Sequence, residues 1–419
     1  MVKKNYEWAD GAVLEDHTRQ KLKILREYFS DYLSVRCKLP QQEKFRMAII
    51  DGFSGGGRYK CGSAGSPVVF VEELRTFAEQ VNIKRAADGM APIALECLLI
   101  LNDEARDTVE LLKTHVAPLE AEIKTNVSSL HLKVEYLNKQ FEQAYPDIVD
   151  LLLRGRYTNV LFNLDQCGHK HVSINTLLNI LHTYTSAEIF LTFAIQSLIA
   201  FLEKSNPTKL TAQLAQLGLS QSDLLSLQGA MNREAWLGAA ERIVFDHFGN
   251  CAPYVSPFSI HNPTGWRYWL IHFANSYRAR QVYNNVLHQN SSAQAHFGRS
   301  GLNMLSYNPA HNDGRLYLFD TTGRDRARSQ LLEDIPRLVS DSGDAIGVAD
   351  FYSSIYNKTP AHTDDIHSAI IDNPDIEVIT PKGGERRKAN TISVDDILKL
   401  KGQKSFFPIF FNTGEPEKP

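Results

Sequence analysis

Two rhythms of apolar residues alternate along the chain. From about His17 to Leu33, Leu22, Leu25, Tyr28, Phe29 and Leu33 recur at the spacing of one helix face, with arginine and lysine opposite. The run from Phe45 to Ile50 then reads as a short buried strand entering a glycine turn. Ser66 and Pro67 suit the N-cap and first position of a helix over Val68 to Gln80. The same alternation predicts strands at Ala94 to Asn102, Leu130 to Leu137, Asn159 to Leu164 and Glu188 to Phe193. Between them fall helices at Glu104 to Thr114, Phe141 to Leu153 and Ile174 to Tyr184. Strands that are apolar on both faces, separated by amphipathic helices, predict a parallel sheet covered on both sides. This α/β pattern occupies residues 1–200.

The pattern then changes. Pro207 to Arg242 reads as helical without strands, a helical insertion at 201–250. Trp266 to Phe273 suits another strand and Ser276 to His288 a helix, so 251–320 is expected to complete the sheet, with a hairpin near the end of Asn303 to Phe319. In 321–419, helices are expected at Arg324 to Val339, Ala349 to Tyr356 and Thr363 to Ile371. The strand Ile376 to Thr380, the turn Pro381 to Asn390 and a further strand or helix start at Thr391 follow. Two helices followed by a hairpin with a glycine-rich basic tip form the pattern of a winged helix.

A chain of 419 residues exceeds one ordinary core and is expected to form two domains with a connecting region. Hydrophobic residues at 43% and charged residues at 22% match a globular protein. The formal net charge of -3 argues against a wholesale nucleic-acid binder but leaves room for a local basic face. Five cysteines without CxxC pairing speak for a reducing compartment, and against both a disulfide framework and a structural zinc site. No HxxxH or clustered carboxylate spacing marks a metal site. The first residues carry no apolar signal, and the most apolar stretch, Glu188 to Phe201, is interrupted by Gln196. The expectation is a soluble cytoplasmic protein without a membrane partner.

The sharpest chemical signal is the segment from Ile49 to Gly57. A strand ending in Asp51 enters a turn containing Phe53, Gly55 and Gly57, which lets the backbone approach an adenosyl ligand closely. No GK[ST] follows, so a triphosphate cradle is not expected. The order is instead that of the first motif of class I methyltransferases. The second predicted strand ends in Asn102-Asp103-Glu104, and an acid there accepts hydrogen bonds from ribose hydroxyls. Either Asp103 or Glu104 fits, and helix N-terminal charge is the plain alternative. The fourth strand ends in Asp165, followed by Gln166, Cys167, Gly168 and His169. Amino-group methyltransferases usually carry two prolines and an aromatic here, and this chain lacks them. Asp165 remains a candidate acceptor or base, and His169 and His171 are either compensating groups or satisfied polar residues. Cys167 reads as a small residue in a tight turn. His17 and Lys21, four apart, share a helix face that is either solvated or turned toward the ligand. In the tail, Lys382, Arg386, Arg387 and Lys388 flank Gly383-Gly384 and suit phosphate contacts, with a solvated loop or a protein-binding module as alternatives.

At these residues the chain resembles the three-Cys-motif partner (TcmP) family. The matching features are Trp8, His17-Thr18 with Lys21-Leu22, and Ile50 to Tyr59 continuing to Gly65-Ser66-Pro67. Leu164 to Gly168 also matches, with Gln166 where the family carries proline, as does a tail running from Thr359-Pro360 to the Arg386-Arg387-Lys388 wing. The resemblance covers most of the chain, with Thr208 to Gln228 less easily matched. It implies a class I methyltransferase-like Rossmann domain with S-adenosylmethionine as cofactor. It also implies a three-cysteine partner protein that resembles radical S-adenosylmethionine enzymes. Its substrate is not implied.

Two functional expectations follow. One is a methyltransferase acting on a nucleic-acid or nucleotide-type acceptor, with Asp165 and His169 as candidate catalytic residues. Asp51, Phe53, Gly55, Gly57, Asp103, Glu104, His17 and Lys21 would then surround the cofactor. The other is a non-catalytic adenosyl- or nucleotide-binding module that regulates or scaffolds its partner in anti-phage defence. A DNA-binding regulator driven by the winged helix alone fits less well, because the net charge is not basic.

Overall fold

The computed structural model describes residues 8, 11–166, 171–195, 244–256, 258–261, 267–290, 294–297, 316–318 and 321–402. Its centre is a mostly parallel sheet whose first five strands are those expected. These are β1 (Lys44–Asp51), β2 (Ala94–Asn102), β3 (Leu130–Leu137), β4 (Asn159–Leu164) and β5 (Ser186–Phe193). They lie in the order β3-β2-β1-β4-β5, all parallel. Helix α1 (Asp16–Arg36) precedes β1, and α2 (Ser66–Ala87), α3 (Arg106–Asn126), α4 (Phe141–Gly155) and α5 (Ile174–Thr183) connect the strands. This arrangement is compatible with a Rossmann-like fold.

Alternation within each strand explains the layering. On β1, Ala48 and Ile50 pack with Phe141, Ile148 and Leu152 of α4 and Leu177 and Ile180 of α5. Met47 and Ile49 point the other way, into a core with Tyr28 and Phe29 of α1, Phe70 of α2 and Leu112 of α3. A strand segment buried on both faces must be apolar at every position, which is how Met47 to Ile50 reads.

Beyond β5 the sheet continues with β6 (Tyr254–Ser256), β7 (Phe258–His261), β8 (Arg267–Ala274), β9 (Gln294–Phe297) and β10 (Leu316–Leu318). Strand β8 runs antiparallel to β5 and pairs with β6 and β7, while β9 and β10 extend the edge. Helix α6 (Tyr277–Gln289) follows β8. Helix α3 runs through Pro118, well beyond the expected end at Thr114. Val116 and Ile123 are buried on that extension, and their packing outweighs the hydrogen bond lost at the proline. The helical insertion expected at Pro207 to Arg242 lies outside the described residues, as does most of Asn303 to Phe319.

The C-terminal unit comprises α7 (Thr321–Asp341), β11 (Ala345–Gly347), α8 (Val348–Ile355), α9 (Thr363–Asp372), β12 (Ile376–Ile379) and β13 (Ile397–Leu400). Its three strands form an antiparallel sheet in the order β11-β13-β12. The short β11 was not anticipated, since three residues are too few to show a period. Leu331, Ile335, Phe351, Ile366, Ile370, Val378 and Leu398 form the core of the unit, joined by Tyr254, Ala274 and Ala279 of the α/β unit. Hydrogen bonds fix this docking. Asn284 Nδ2 donates to the Thr359 carbonyl (2.9 Å), and Asn285 Oδ1 accepts from the Thr363 N–H (3.0 Å) and hydroxyl (2.9 Å). Among the described residues no helix is long and apolar enough to cross a membrane.

Candidate functional site

In an open sheet of this order, ligands bind outside the carboxyl ends of the strands, where connections leave in opposite directions. That point lies between β1 and β4, and the singled-out residues converge on it from three sides.

The glycine turn follows β1. Gly55 at φ 61° and Gly57 at φ 85° occupy the left-handed region, where a side chain is strained. The turn is held from below. Gly52 N–H donates to Asn163 O (2.9 Å), Ser54 N–H to Asn102 O (2.9 Å) and Gly65 N–H to Gly57 O (2.7 Å). His115 Nδ1 lies 2.7 Å from Gly56 O, and because a carbonyl only accepts, that nitrogen carries the proton. From above, the indole of Trp8 lies on Gly55 and Gly56. Phe53 turns toward α4, its ring centroid 5.6 Å from Phe141 and 6.2 Å from His171.

At the end of β1, Asp51 is fully buried. Its Oδ1 accepts from Asn163 Nδ2 (3.2 Å), while Oδ2 is buried with no hydrogen-bond partner. Burial pushes its pKa up to about 7. The nearby Ser66 hydroxyl and the Asn163 amide pull the other way, and the Asp165 carboxylate adds to the rise.

At the end of β2 the two candidate acids separate. Glu104 is exposed, whereas Asp103 is half-buried with its carboxylate on the turn. Asp103 Oδ2 accepts from Gly55 N–H (3.1 Å) and Oδ1 from Ala105 N–H (3.0 Å). Burial raises its pKa, partly offset by those two bonds.

At the end of β4, Asp165 meets Lys21 of α1, with Nζ 2.5 Å from Oδ1. Burial alone lifts the Asp165 carboxyl, but the Lys21 ammonium, a bond from Thr192 and the nearby His17 together hold it below the ordinary aspartate value. His17 is itself buried, stacked on Tyr268 with centroids 4.8 Å apart, and its Nδ1 lies 3.3 Å from Glu15. Burial, followed by the Lys21 charge, lowers its pKa, so the ring is neutral. Residues 167–170, which include Cys167 and His169, lie outside the described residues. The buried Gln166, at the position where the resemblance implies proline, accepts from His171 N–H (2.9 Å) through Oε1.

The structure thus brings Asp51, Gly55, Gly57, Asp103, Lys21, His17 and Asp165 to one end of the sheet and leaves Glu104 in solvent. Sequence reasoning missed Asn102, Asn163, Thr192 and His115. The first two were legible as amides at or next to the ends of the apolar runs of β2 and β4. His115, by contrast, has no local signal, because its partner is 59 residues away. Among the described residues no group of three or more His, Cys, Asp or Glu is placed to hold a metal ion.

The basic tail residues divide. Lys382, Arg387 and Lys388 are exposed around Gly383 at φ 81°. Arg386 instead forms a two-pronged pair with the buried Asp396 (3.0 and 3.2 Å) and anchors the hairpin. No protein-family model, no curated protein and no solved structure matches this chain.

Proposed function

We propose that the chain is an S-adenosylmethionine-dependent methyltransferase acting on a nucleic-acid or nucleotide-type acceptor, together with a partner of the three-Cys-motif type. The observation that carries this reading is the convergence of the left-handed glycine turn, Asp103 and Asp165 on the β1/β4 crevice. The residues present fit an adenosyl donor. Asp51 Oδ2 is a buried acceptor without a partner, suited to a ligand ammonium or a bridging water. Asp103 retains lone pairs on both oxygens for ribose hydroxyls beyond the two bonds it accepts. When bound, the donor supplies an electrophilic methyl group.

In this reading the protein contributes mainly alignment. Asp165, kept ionised by Lys21, accepts a hydrogen bond from the acceptor and orients it. Its depressed pKa makes it a weak base, so a proton released by an amine acceptor passes to solvent or to the neutral His17. We read the helix–strand–helix–helix–hairpin order of the C-terminal unit as a winged helix, and the exposure of Lys382, Arg387 and Lys388 between its last two strands supports a role for them in holding phosphates. The three-cysteine partner rests on the family resemblance.

Calorimetric titration with S-adenosylmethionine and S-adenosylhomocysteine tests the pocket. Saturable binding that is lost in Asp51→Ala and Asp103→Ala supports the reading, and no binding to the wild type sinks it.

A second reading, an adenosyl-binding regulatory or scaffold protein in anti-phage defence, is favoured by one observation. Asp165 is paired with Lys21 and Gln166 accepts from His171 N–H, and the sequence has no phenylalanine, tyrosine or tryptophan among Gln166, Cys167, Gly168 and His169 to stack on an acceptor. Methyl transfer to bulk nucleic acid or to the partner protein, abolished in Asp165→Ala, decides against it.

A further inference from the structure

We propose that Asn102 is a positioning residue of the donor site, its amide fixing the spacing between the glycine turn after β1 and the loop after β3. The inference rests on the adenosyl-binding reading above and adds to it a residue that acts through the turn.

Strand β2 is apolar and buried from Cys97 to Leu101, and then places a carboxamide, 1% exposed, at its last position. A buried amide is unfavourable unless its donors and its acceptor are used. Here backbone groups at the ends of two other strands use them. Asn102 Nδ2 donates to Gly52 O (3.0 Å) and to Lys139 O (3.0 Å), and Oδ1 accepts from Lys139 N–H (3.3 Å). Carbonyl oxygens only accept, so the nitrogen must face both of them, and the orientation of the amide is determined. An aspartate of the same shape would set an oxygen against two carbonyl oxygens.

The bonds run on into the site. Ser54 N–H donates to Asn102 O (2.9 Å) and Gly55 N–H to Asp103 Oδ2 (3.1 Å), so three bonds tie residues 52–55 to two consecutive residues of β2. From β4, Asn163 O accepts from Gly52 N–H (2.9 Å), which holds the same glycine on its other side. Next to Lys139, Asn138 Nδ2 donates to Asp103 O (3.0 Å) and Glu104 O (3.1 Å). Asp103, the acid offered to the ribose, therefore lies between two loops that one amide joins. A ligand spanning the turn and Asp103 meets them at a separation that Asn102 sets.

The opposite end of β2 supplies the comparison. Asn82 of α2 clasps Ile93 in the same way, with Nδ2 donating to Ile93 O (3.0 Å) and Oδ1 accepting from Ile93 N–H (2.8 Å). Ile93 immediately precedes β2, so this amide stabilises the same strand at the end remote from the turn.

The test measures S-adenosylhomocysteine affinity by calorimetry for wild type, Asn102→Asp, Asn102→Ser and Asn82→Asp, at a temperature where each is folded, with the melting midpoint in parallel. Asn102→Asp is expected to bind about tenfold more weakly than wild type, a loss comparable to one hydrogen bond left unmade. Asn102→Ser, which keeps a single donor, falls between them. Asn82→Asp is expected to lower the midpoint and to leave the affinity within about twofold of wild type, as for an independent site. If Asn102→Asp does not fold, Asn102→Ser decides against the same comparison. Wild-type affinity in the Asn102 variants overturns the positioning role and leaves the donor reading standing. An equal loss in Asn82→Asp also overturns it, because affinity would then follow stability alone. Absence of binding by wild type overturns the positioning role and the donor reading together.

Discussion

Replacing Lys21 by methionine removes one half of an ion pair that the structure holds at 2.5 Å, with the lysine side chain 11% and the aspartate side chain 31% exposed. Those exposures bracket the expected cost. Pairs in open solvent are worth about 0–1 kcal/mol, and breaking a fully buried pair costs about 3–5 kcal/mol. The Lys21–Asp165 pair belongs between, at about 2 kcal/mol. The sign with pH follows from Asp165. In the wild type its folded pKa lies below the unfolded value, so the pair stabilises above an unfolded carboxylate pKa of about 4, and this is lost as the pH falls through the folded value. In Lys21→Met burial dominates and the folded pKa rises above the unfolded one, so ionised Asp165 is penalised at neutral pH. The deficit is therefore largest near pH 7 and closes in acid. Thermal melts of Lys21→Met, Asp165→Asn and the double variant measure the pair directly. At about 2–4 °C per kcal/mol for domains of this size, the coupling appears as about 4–8 °C of non-additivity at pH 7. Additivity within about 0.5 kcal/mol, as for independent sites, would refute the argument that these groups stabilise one another.

Asp51, pushed up to about 7 by burial, retains its proton in the folded chain at pH values where an unfolded aspartate has lost it. The wild type should therefore lose up to about 4 kcal/mol relative to Asp51→Asn as the pH rises from about 4 to about 7; parallel pH profiles of the melting midpoint would exclude it. Tyr28→Phe removes a hydroxyl that donates to the buried Glu188, leaving His272 Nε2 at 3.3 Å as the other contact. This should cost about 1–3 kcal/mol in a denaturant or thermal melt, and a loss under 0.5 kcal/mol contradicts the assigned bond. Arg386→Met should lower the melting point by uncovering Asp396, whereas Lys382→Ala/Arg387→Ala/Lys388→Ala should leave it unchanged. If the wing holds phosphates, the triple variant should weaken duplex binding and flatten its salt dependence by about 0.9 per lost contact. An unchanged slope removes the wing from the interface.

Much of the α/β unit was legible because burial on both sheet faces imposes a pattern that propensity alone does not. Strands β1 to β4 begin or end at or within a residue of the expected positions, and the acid after β2 and the turn after β1 lie at the same sheet end. What the sequence concealed is long-range. Lys21 and Asp165 are 144 residues apart, and only the packing of α1 along one sheet face, with Arg36 at the start of β4 and Lys21 past its end, joins them. The choice between Asp103 and Glu104 depended on a one-residue register that the backbone resolves through the Gly55 bond. Arg386 and Arg387 look alike in a basic run, yet one faces a buried carboxylate and the other solvent. The N-terminal indole has no period at all, and its place over the turn is visible only in three dimensions.

The docking of the C-terminal unit constrains what it can recognise. In a winged helix that reads DNA, the helix before the hairpin lies in the major groove. Here that helix is α9, whose first residue is bound to Asn285 of α6 and whose Asp365 is clasped by Arg324 (2.6 Å) and Arg328 (2.8 Å) of α7. Its exposed Asp364 and Asp372 would repel phosphate. With α9 committed to internal contacts, base reading through this helix would require undocking of the unit, including loss of the Asn284 and Asn285 bonds. Contact through Lys382, Arg387 and Lys388 requires none of this, but it addresses phosphates and carries no sequence information. Any nucleic acid met by this face is therefore bound for its charge and shape. If the chain acts on such acceptors as proposed, discrimination between them would then fall to the Asp165 crevice, where His17 and the Lys21–Asp165 pair offer both donor and acceptor.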